Sequence, residues 1–395
     1  MTIRLTNLTI PAWQYLPAVF GAVPLLHFVL LTRTTLSNSA VLALSLPPMF
    51  LVALLFSCET ELVQQMGLCG SSIAMLFRAL EAATCPRTVN AAWSFRDYAE
   101  FMLTSDNETL RVISKARDDK ERKIRQEKNL PLKPPKWKPF TYTAQERGLA
   151  FYVQFLVRMM VTILIYIYCR TALEKYGFEH RVGFVAPWDV KSFHDHICYA
   201  LLVYAGLEFG YFGTMFIVAT ILRTPLVYIF HYPHLSTSPR DFWSYRWNYA
   251  VKEILHRLSF LQTLSLLALF ISGKGTRPPA SHCAIASLAA FLLSAIIHEY
   301  LVFLFLEHRF GENTCFFLLQ AVFCFAQVEL QRATGFGRTW GRGFFGSLFG
   351  WTCTMLLLLC TSPLFIGPYA RAGFLLHEMQ IPVPTSIMDF AKTVI

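Results

Sequence analysis

Between residues 283 and 297 the chain reads CAIASLAAFLLSAII without a single charge, and after Tyr300 the apolar run resumes. A helix needs about 20 apolar residues to cross a bilayer. In hydrocarbon the backbone must satisfy its own hydrogen bonds, so a run of this kind folds as a helix. Comparable runs cover 11–31, 39–58, 149–169, 197–221, 314–328 and 343–365, and the run first quoted extends over 281–305. Two weaker segments are 61–83, which carries Arg78 and Glu81, and 258–272, which is short. Both are read as interfacial, re-entrant or enclosed by protein. The expectation is an all-α, polytopic integral membrane protein with about 7–9 transmembrane helices, one domain over 1–395. Pro11, Pro24, Pro47 and Pro48 predict kinked helices in a packed bundle.

Composition agrees with the runs. Hydrophobic residues make up 54% of the chain and charged residues 15%, against about 25% charged in a soluble domain. The ten cysteines are scattered with no CxxC pair, so neither a disulfide framework nor a zinc site is expected. The formal charge of +10 is concentrated in loops. With this hydropathy, a cytosolic face against anionic lipid is a better reading than nucleic-acid binding. The polar segment 104–147, rich in arginine and lysine, is expected to be a cytosolic loop. It reads as a solvated connector ahead of a lid over a polyanionic ligand. A second basic segment, 231–257, follows two spans later and so lies on the same side. The first apolar run is too long for a cleavable signal peptide and is taken as a span. No inverted repeat is visible, which counts against secondary transport.

Against this background, SAIIHEY (294–300) sets His298 and Glu299 side by side in a span. Ionisable groups there are costly and normally face a bundle interior or a wet cavity. Upstream, HYPHLSTSPRDFWSYRWNYAVKEILHR interleaves Phe242, Trp243, Tyr245, Trp247 and Tyr249 with Arg240, Asp241, Arg246 and Asn248. Ser238 or Asp241 is expected to cap a helix running from Phe242 towards Arg257. On it, Asp241, Tyr245, Asn248 and Lys252 would form one polar stripe. Taken alone, aromatics with arginines at the end of a span fit an interfacial belt better than a site.

Taken together, about 50 residues apart, the two stretches resemble the signature regions of the membrane-bound O-acyltransferase superfamily, in its wax-synthase-like branch. The first signature there resembles "SxRDFWxxRWN", seen here as Ser238-Pro239-Arg240-Asp241-Phe242-Trp243-Ser244-Tyr245-Arg246-Trp247-Asn248. The second is a helix with "SGxxHE", seen here as Ser294-Ala295-Ile296-Ile297-His298-Glu299. Ala295 stands where the family has glycine, a small-for-small change compatible with close helix packing. The approach HYPHLSTSP also departs from the commoner form.

The resemblance implies a helical bundle of that superfamily with 231–310 as its signature region, His298 as the catalytic histidine and Asn248 as its polar partner. Substrate contacts are expected at Arg240, Asp241, Trp243, Tyr245, Arg246, Trp247, Ser294 and Glu299. Glu299, about 100° round the helix from His298, is read as an anchor rather than the base. Ser294 is expected to bond His298 or the backbone. Acyl transfer to an alcohol requires removal of the hydroxyl proton, which suits histidine, while an amide can donate to a developing oxyanion. The implied activity is transfer of an acyl group, acetyl first, from acyl-CoA to a lipophilic alcohol, with a terpenoid or meroterpenoid as the expected acceptor. No bound cofactor, metal or nucleic acid is expected. Acyl-CoA (acetyl-CoA first), the alcohol and membrane lipids are the partners, in a multi-pass endoplasmic reticulum protein. The alternatives are a long-chain wax ester synthase and, from another class, a transporter or lipid-binding protein. Glu208, alone in a span, is expected either to line a tunnel or to pair with an arginine. The histidines of HDH (194–196) are read as loop residues, and GFGRTWGRG (335–343) as a basic loop rather than a nucleotide loop.

Overall fold

The computed structural model describes residues 8–10, 21–58, 62–85, 87–103, 141–142, 148–176, 185–222, 226–270, 278–305, 311–334, 343–372, 381 and 383–395. Most of the basic segment 104–147, the start of the first run (11–20) and 335–342 lie outside them.

Twelve helices of seven residues or more carry the described chain: α1 (Val23–Arg33), α2 (Asn38–Leu55), α3 (Leu62–Thr84), α4 (Phe95–Leu103), α5 (Leu149–Tyr176), α6 (Val190–Leu222), α7 (Tyr249–Leu255), α8 (Leu261–Phe270), α9 (Ala280–Phe305), α10 (Glu312–Thr334), α11 (Gly343–Arg371) and α12 (Thr385–Val394). Two short strand pairs accompany them: Leu8–Ile10 runs parallel to Phe56–Cys58, and Thr141–Tyr142 antiparallel to Leu226–Val227. The second pair returns the end of the basic segment to the start of the signature region. The expected helical, polytopic architecture holds. Among the described helices α5, α9, α10 and α11 are each long and apolar enough to cross a membrane.

Along α5, Leu156, Met160 and Leu164 recur at one-turn spacing and lie about 60% exposed, a stripe suited to lipid. The opposite face carries Tyr166, Cys169, Ala172 and Leu173 into a core shared with α6 and α11. From there the bundle continues through α11 on α10 and α10 on α9. A second core joins α1, α2, α3 and α4 around Phe28, Leu31, Tyr98 and Phe101.

Proline shapes α11. Pro363 has no N–H for the Leu359 carbonyl, and the Ser362 hydroxyl donates to that oxygen instead, at 2.7 Å. Within the weak segment, residues 258–270 prove to continue a longer helical run. After α7, a π-helical turn over His256–Phe260 leads without interruption into α8. The other weak segment is α3, whose Arg78 and Glu81 pair with each other inside the protein.

Candidate active site

The first signature is not one helix. The Ser238 hydroxyl accepts from the Asp241 amide at 3.0 Å and caps a single turn, Pro239–Asp241. The chain then makes a wider turn, closed by the Trp247 amide donating to the Phe242 carbonyl five residues back. Trp247 is extended, and Asn248 takes the left-handed region at φ 39°. This break overturns the expected stripe of Asp241, Tyr245, Asn248 and Lys252 along one helix face. Its cause is tertiary: the Tyr249 amide donates to Ile229 at 2.7 Å and the His231 amide to Arg246 at 2.9 Å. Together they pull the signature against the segment before it. Asparagine is among the few residues that tolerate this conformation, and here it also starts α7. Its Oδ1 accepts from the Val251 amide at 3.3 Å. An N–H can only donate, so the amide orientation is fixed. The Asn248 Nδ2 makes no hydrogen bond among the described residues.

Most of the remaining signature residues build this loop. Arg246 pairs with Asp241 at 2.7 Å, and Asp241 also accepts from the Thr237 amide. Trp247 stacks on Phe242 with ring centroids 5.2 Å apart. Arg240 is anchored by its backbone, which donates to the Gln327 side chain of α10. Trp243 packs against Phe291 of α9 and Phe316 and Phe317 of α10.

On α9, His298 meets the same aromatic cluster. Its ring lies 4.7 Å from Phe317 and 5.2 Å from Phe365 of α11, centroid to centroid. Its Nδ1 sits 2.8 Å from the Ser294 carbonyl. A carbonyl oxygen only accepts, so Nδ1 carries the proton and Nε2 keeps its lone pair. Ser294 thus engages His298 through its backbone. Ala295 is fully buried in the contact with Phe316 and Phe317, as the small residue there predicted. Glu299 turns the other way. Its Oε1 accepts from the Gly311 and Thr314 amides at 3.0 and 2.8 Å, at the start of α10. Its carboxylate stabilises a helix N-terminus rather than standing on the cavity wall.

That cavity measures about 3120 Å³. Arg240, Asp241, Trp243, Tyr245, Arg246, Trp247, Asn248, Ser294 and His298 all line it, so two stretches some fifty residues apart face one space. Its lining cations are mostly neutralised: Arg158 pairs with Glu208, Arg246 with Asp241, Lys252 with Glu253, and Arg332 with Glu329. The Arg240 guanidinium has no carboxylate partner among the described residues. Also on the lining, burial and then the neighbouring Arg246 guanidinium hold the His231 and His234 imidazoles below their usual 6.5. Glu208 adopts the paired alternative, with Arg158. In the HDH stretch, His196 is buried and its Nδ1 donates to the Ser192 carbonyl at 2.6 Å, so it is a helix-core residue rather than a loop one. Phe317, Phe365 and Gln320 were not foreseen. Of these only Gln320 had a signal in the sequence, as a polar residue inside an apolar run.

Fold and site together define a polytopic membrane protein built round a wide cavity with a histidine and an amide on its wall. Residues 226–319 match the membrane bound O-acyl transferase family, in agreement with the resemblance carried by the two signatures. The chain is similar to probable long-chain-alcohol O-fatty-acyltransferase 6 of Arabidopsis thaliana, 34% identical over 145 residues, which are 36% of this chain and 39% of that protein. It is also similar to the long-chain-alcohol O-fatty-acyltransferase of Simmondsia chinensis, 28% identical over 146 residues, 37% and 40% of the two chains. A third relative is acyl-CoA–sterol O-acyltransferase 1 of A. thaliana, 29% identical over 126 residues, 32% and 34% of the two chains. In all three the match spans less than half of the relative's length.

Proposed function

We propose that this protein transfers an acyl group from a coenzyme A thioester to the hydroxyl of a lipophilic alcohol, with His298 as general base. The carrying observation is the imidazole itself: its Nδ1 is committed to the Ser294 carbonyl and its Nε2 is left basic, on a cavity wall shared with the Asn248 amide. In this reading Nε2 takes the hydroxyl proton as the alcohol oxygen attacks the thioester carbonyl. The Asn248 Nδ2 donates to the carbonyl oxygen as it gains charge. The carbon–sulfur bond then breaks, and the imidazolium returns the proton to the departing thiolate. Arg240 faces the polyanionic donor, and Trp243, Tyr245, Arg246 and Trp247 shape the wall along which it lies. Glu299 supports the histidine helix from behind.

The first reading of donor and acceptor is acetyl-CoA with a polycyclic terpenoid-type alcohol, in the endoplasmic reticulum membrane. It rests on the basic insert and the Trp/Tyr-rich signature, which look like the fungal group of this branch, and a relative named for sterol acylation agrees with a polycyclic acceptor. A second reading, a fatty acyl group on a long-chain alcohol, is favoured by the names of the other relatives. The cavity favours it too, being about three times the upper end of ordinary ligand pockets, roughly 1,000 Å³. The test uses microsomes carrying wild type or His298→Ala at matched expression. They are supplied with radiolabelled acetyl-CoA or palmitoyl-CoA and a panel of terpenoid, sterol and fatty alcohols. Ester formed by wild type alone supports the assignment, and the productive pair chooses between the readings. Full activity in His298→Ala would place the base elsewhere.

A further inference from the structure

Gln320 is fully buried on α10, and both ends of its amide are engaged. Its Oε1 accepts from the Trp243 indole N–H at 3.3 Å, and its Nε2 donates to the Thr361 hydroxyl oxygen of α11 at 3.0 Å. Thr361 in turn donates to the Leu357 carbonyl at 2.7 Å. An indole nitrogen can only donate, so the direction of the whole chain is fixed: indole to amide, amide to hydroxyl, hydroxyl to backbone. Such one-way chains strengthen each bond.

The place of this chain in the fold matters more than its strength. The two rings that hold His298 are Phe317 and Phe365. Phe317 lies one turn before Gln320 on α10, and Phe365 one turn after Thr361 on α11. Trp243, at the other end, packs on Phe317. One buried amide therefore ties together the three elements whose aromatic side chains meet around the histidine. Neither Gln320 nor Thr361 lines the cavity.

We propose that Gln320 is a positioning residue for His298, fixing Trp243 and the α10–α11 contact so that the Phe317–Phe365 slot holds the imidazole with Nε2 facing the cavity. The proposal rests on His298 being the base, and the experiment separates the two. Gln320→Leu and Gln320→Glu are compared with wild type and His298→Ala, using whichever of the acyl-CoA and alcohol pairs above wild type esterifies, with activity expressed per folded molecule. A geometric slip at a reacting group costs rate rather than affinity. Gln320→Leu is therefore expected to lower kcat about tenfold or more with KM for acyl-CoA unchanged. Gln320→Glu in its acid form still accepts from Trp243 and donates to Thr361, and should recover most of that rate. A second readout needs no turnover: carbethoxylation of His298 by diethyl pyrocarbonate, followed by mass spectrometry with the partly exposed His194 as reference, should change in Gln320→Leu. If Gln320→Leu fails to fold, Thr361→Val, which cuts only the far link, is expected to show a smaller loss of kcat at unchanged KM. Wild-type kcat and an unchanged modification rate in Gln320→Leu or Thr361→Val, with His298→Ala inactive, would overturn the positioning role alone. Activity in His298→Ala would overturn both.

Discussion

At the scale of single residues, Asn248 joins two roles that substitution can separate. Its backbone sits at φ 39° and its Oδ1 caps α7, whereas its Nδ2 is the donor proposed for the thioester carbonyl. Asn248→Gly keeps the left-handed turn at no steric cost and loses only a few tenths of a kcal/mol of capping. It should fold normally and still lose activity by about 100-fold, the order expected for one oxyanion donor. Near-normal turnover in the glycine variant would reduce Asn248 to a turn residue. Asn248→Ala should in addition lose about 1 kcal/mol or more, from the missing cap and the strained turn, read as a lower thermal midpoint. His298 was legible as an ionisable residue in a span. Its tautomer was not, because nothing in the residue order says that Nδ1 meets the Ser294 carbonyl.

At the scale of elements, α9 and α10 are joined by a carboxylate. Glu299→Ala leaves the Gly311 and Thr314 amides without their acceptor, at a cost of about 1–3 kcal/mol. The expected result is a lower midpoint for thermal aggregation with KM unchanged; a KM effect without a stability effect would return Glu299 to the substrate. The loop before the signature supplies a pH dependence. Folded-state imidazoles at His231 and His234 lie below 6.5 through burial and Arg246, so the unfolded chain binds protons more readily. Their contribution is present above about pH 6.5 and is lost as the pH falls through the lower folded values. Protection factors of the amides in 228–247, which remove the intrinsic pH dependence of exchange, should fall as the pH drops below about 6.5 in wild type, and less so in the double His→Gln variant. The spans were legible as apolar runs. The broken helix at Trp247 and Asn248 was not, since partners at Ile229 and His231 decide it.

At the scale of the whole molecule, a buried charge network fastens the N-terminal helices to the signature region. Glu81, 1% exposed, pairs with Arg78 on its own helix and with Arg257, which also meets Glu253 at 2.9 Å; Lys252 completes the set. Arg78 donates onward to the Phe101 carbonyl on α4. Removing one partner strands the other charge away from water. Glu81→Ala should therefore destabilise by about 3–5 kcal/mol, and Glu81→Ala with Arg257→Met should recover part of that loss. Thermal inactivation of the three proteins in one detergent checks it, and additive losses would argue against a coupled network.

The order of residues by itself determined the helical, membrane-spanning class, because uncharged runs of span length leave the backbone no other way to satisfy its hydrogen bonds. It also pointed to candidate residues, because a histidine in such a run and an Arg/Trp-rich segment before it stand out locally, and both prove to line one cavity. Only the tertiary structure decided what each does. Glu299 serves a helix end, Glu208 finds Arg158, and Gln320 enters the histidine's surroundings from a helix that carries no signature. Each of those roles depends on a partner from another element, and contact between distant elements is set by packing, which local sequence does not encode.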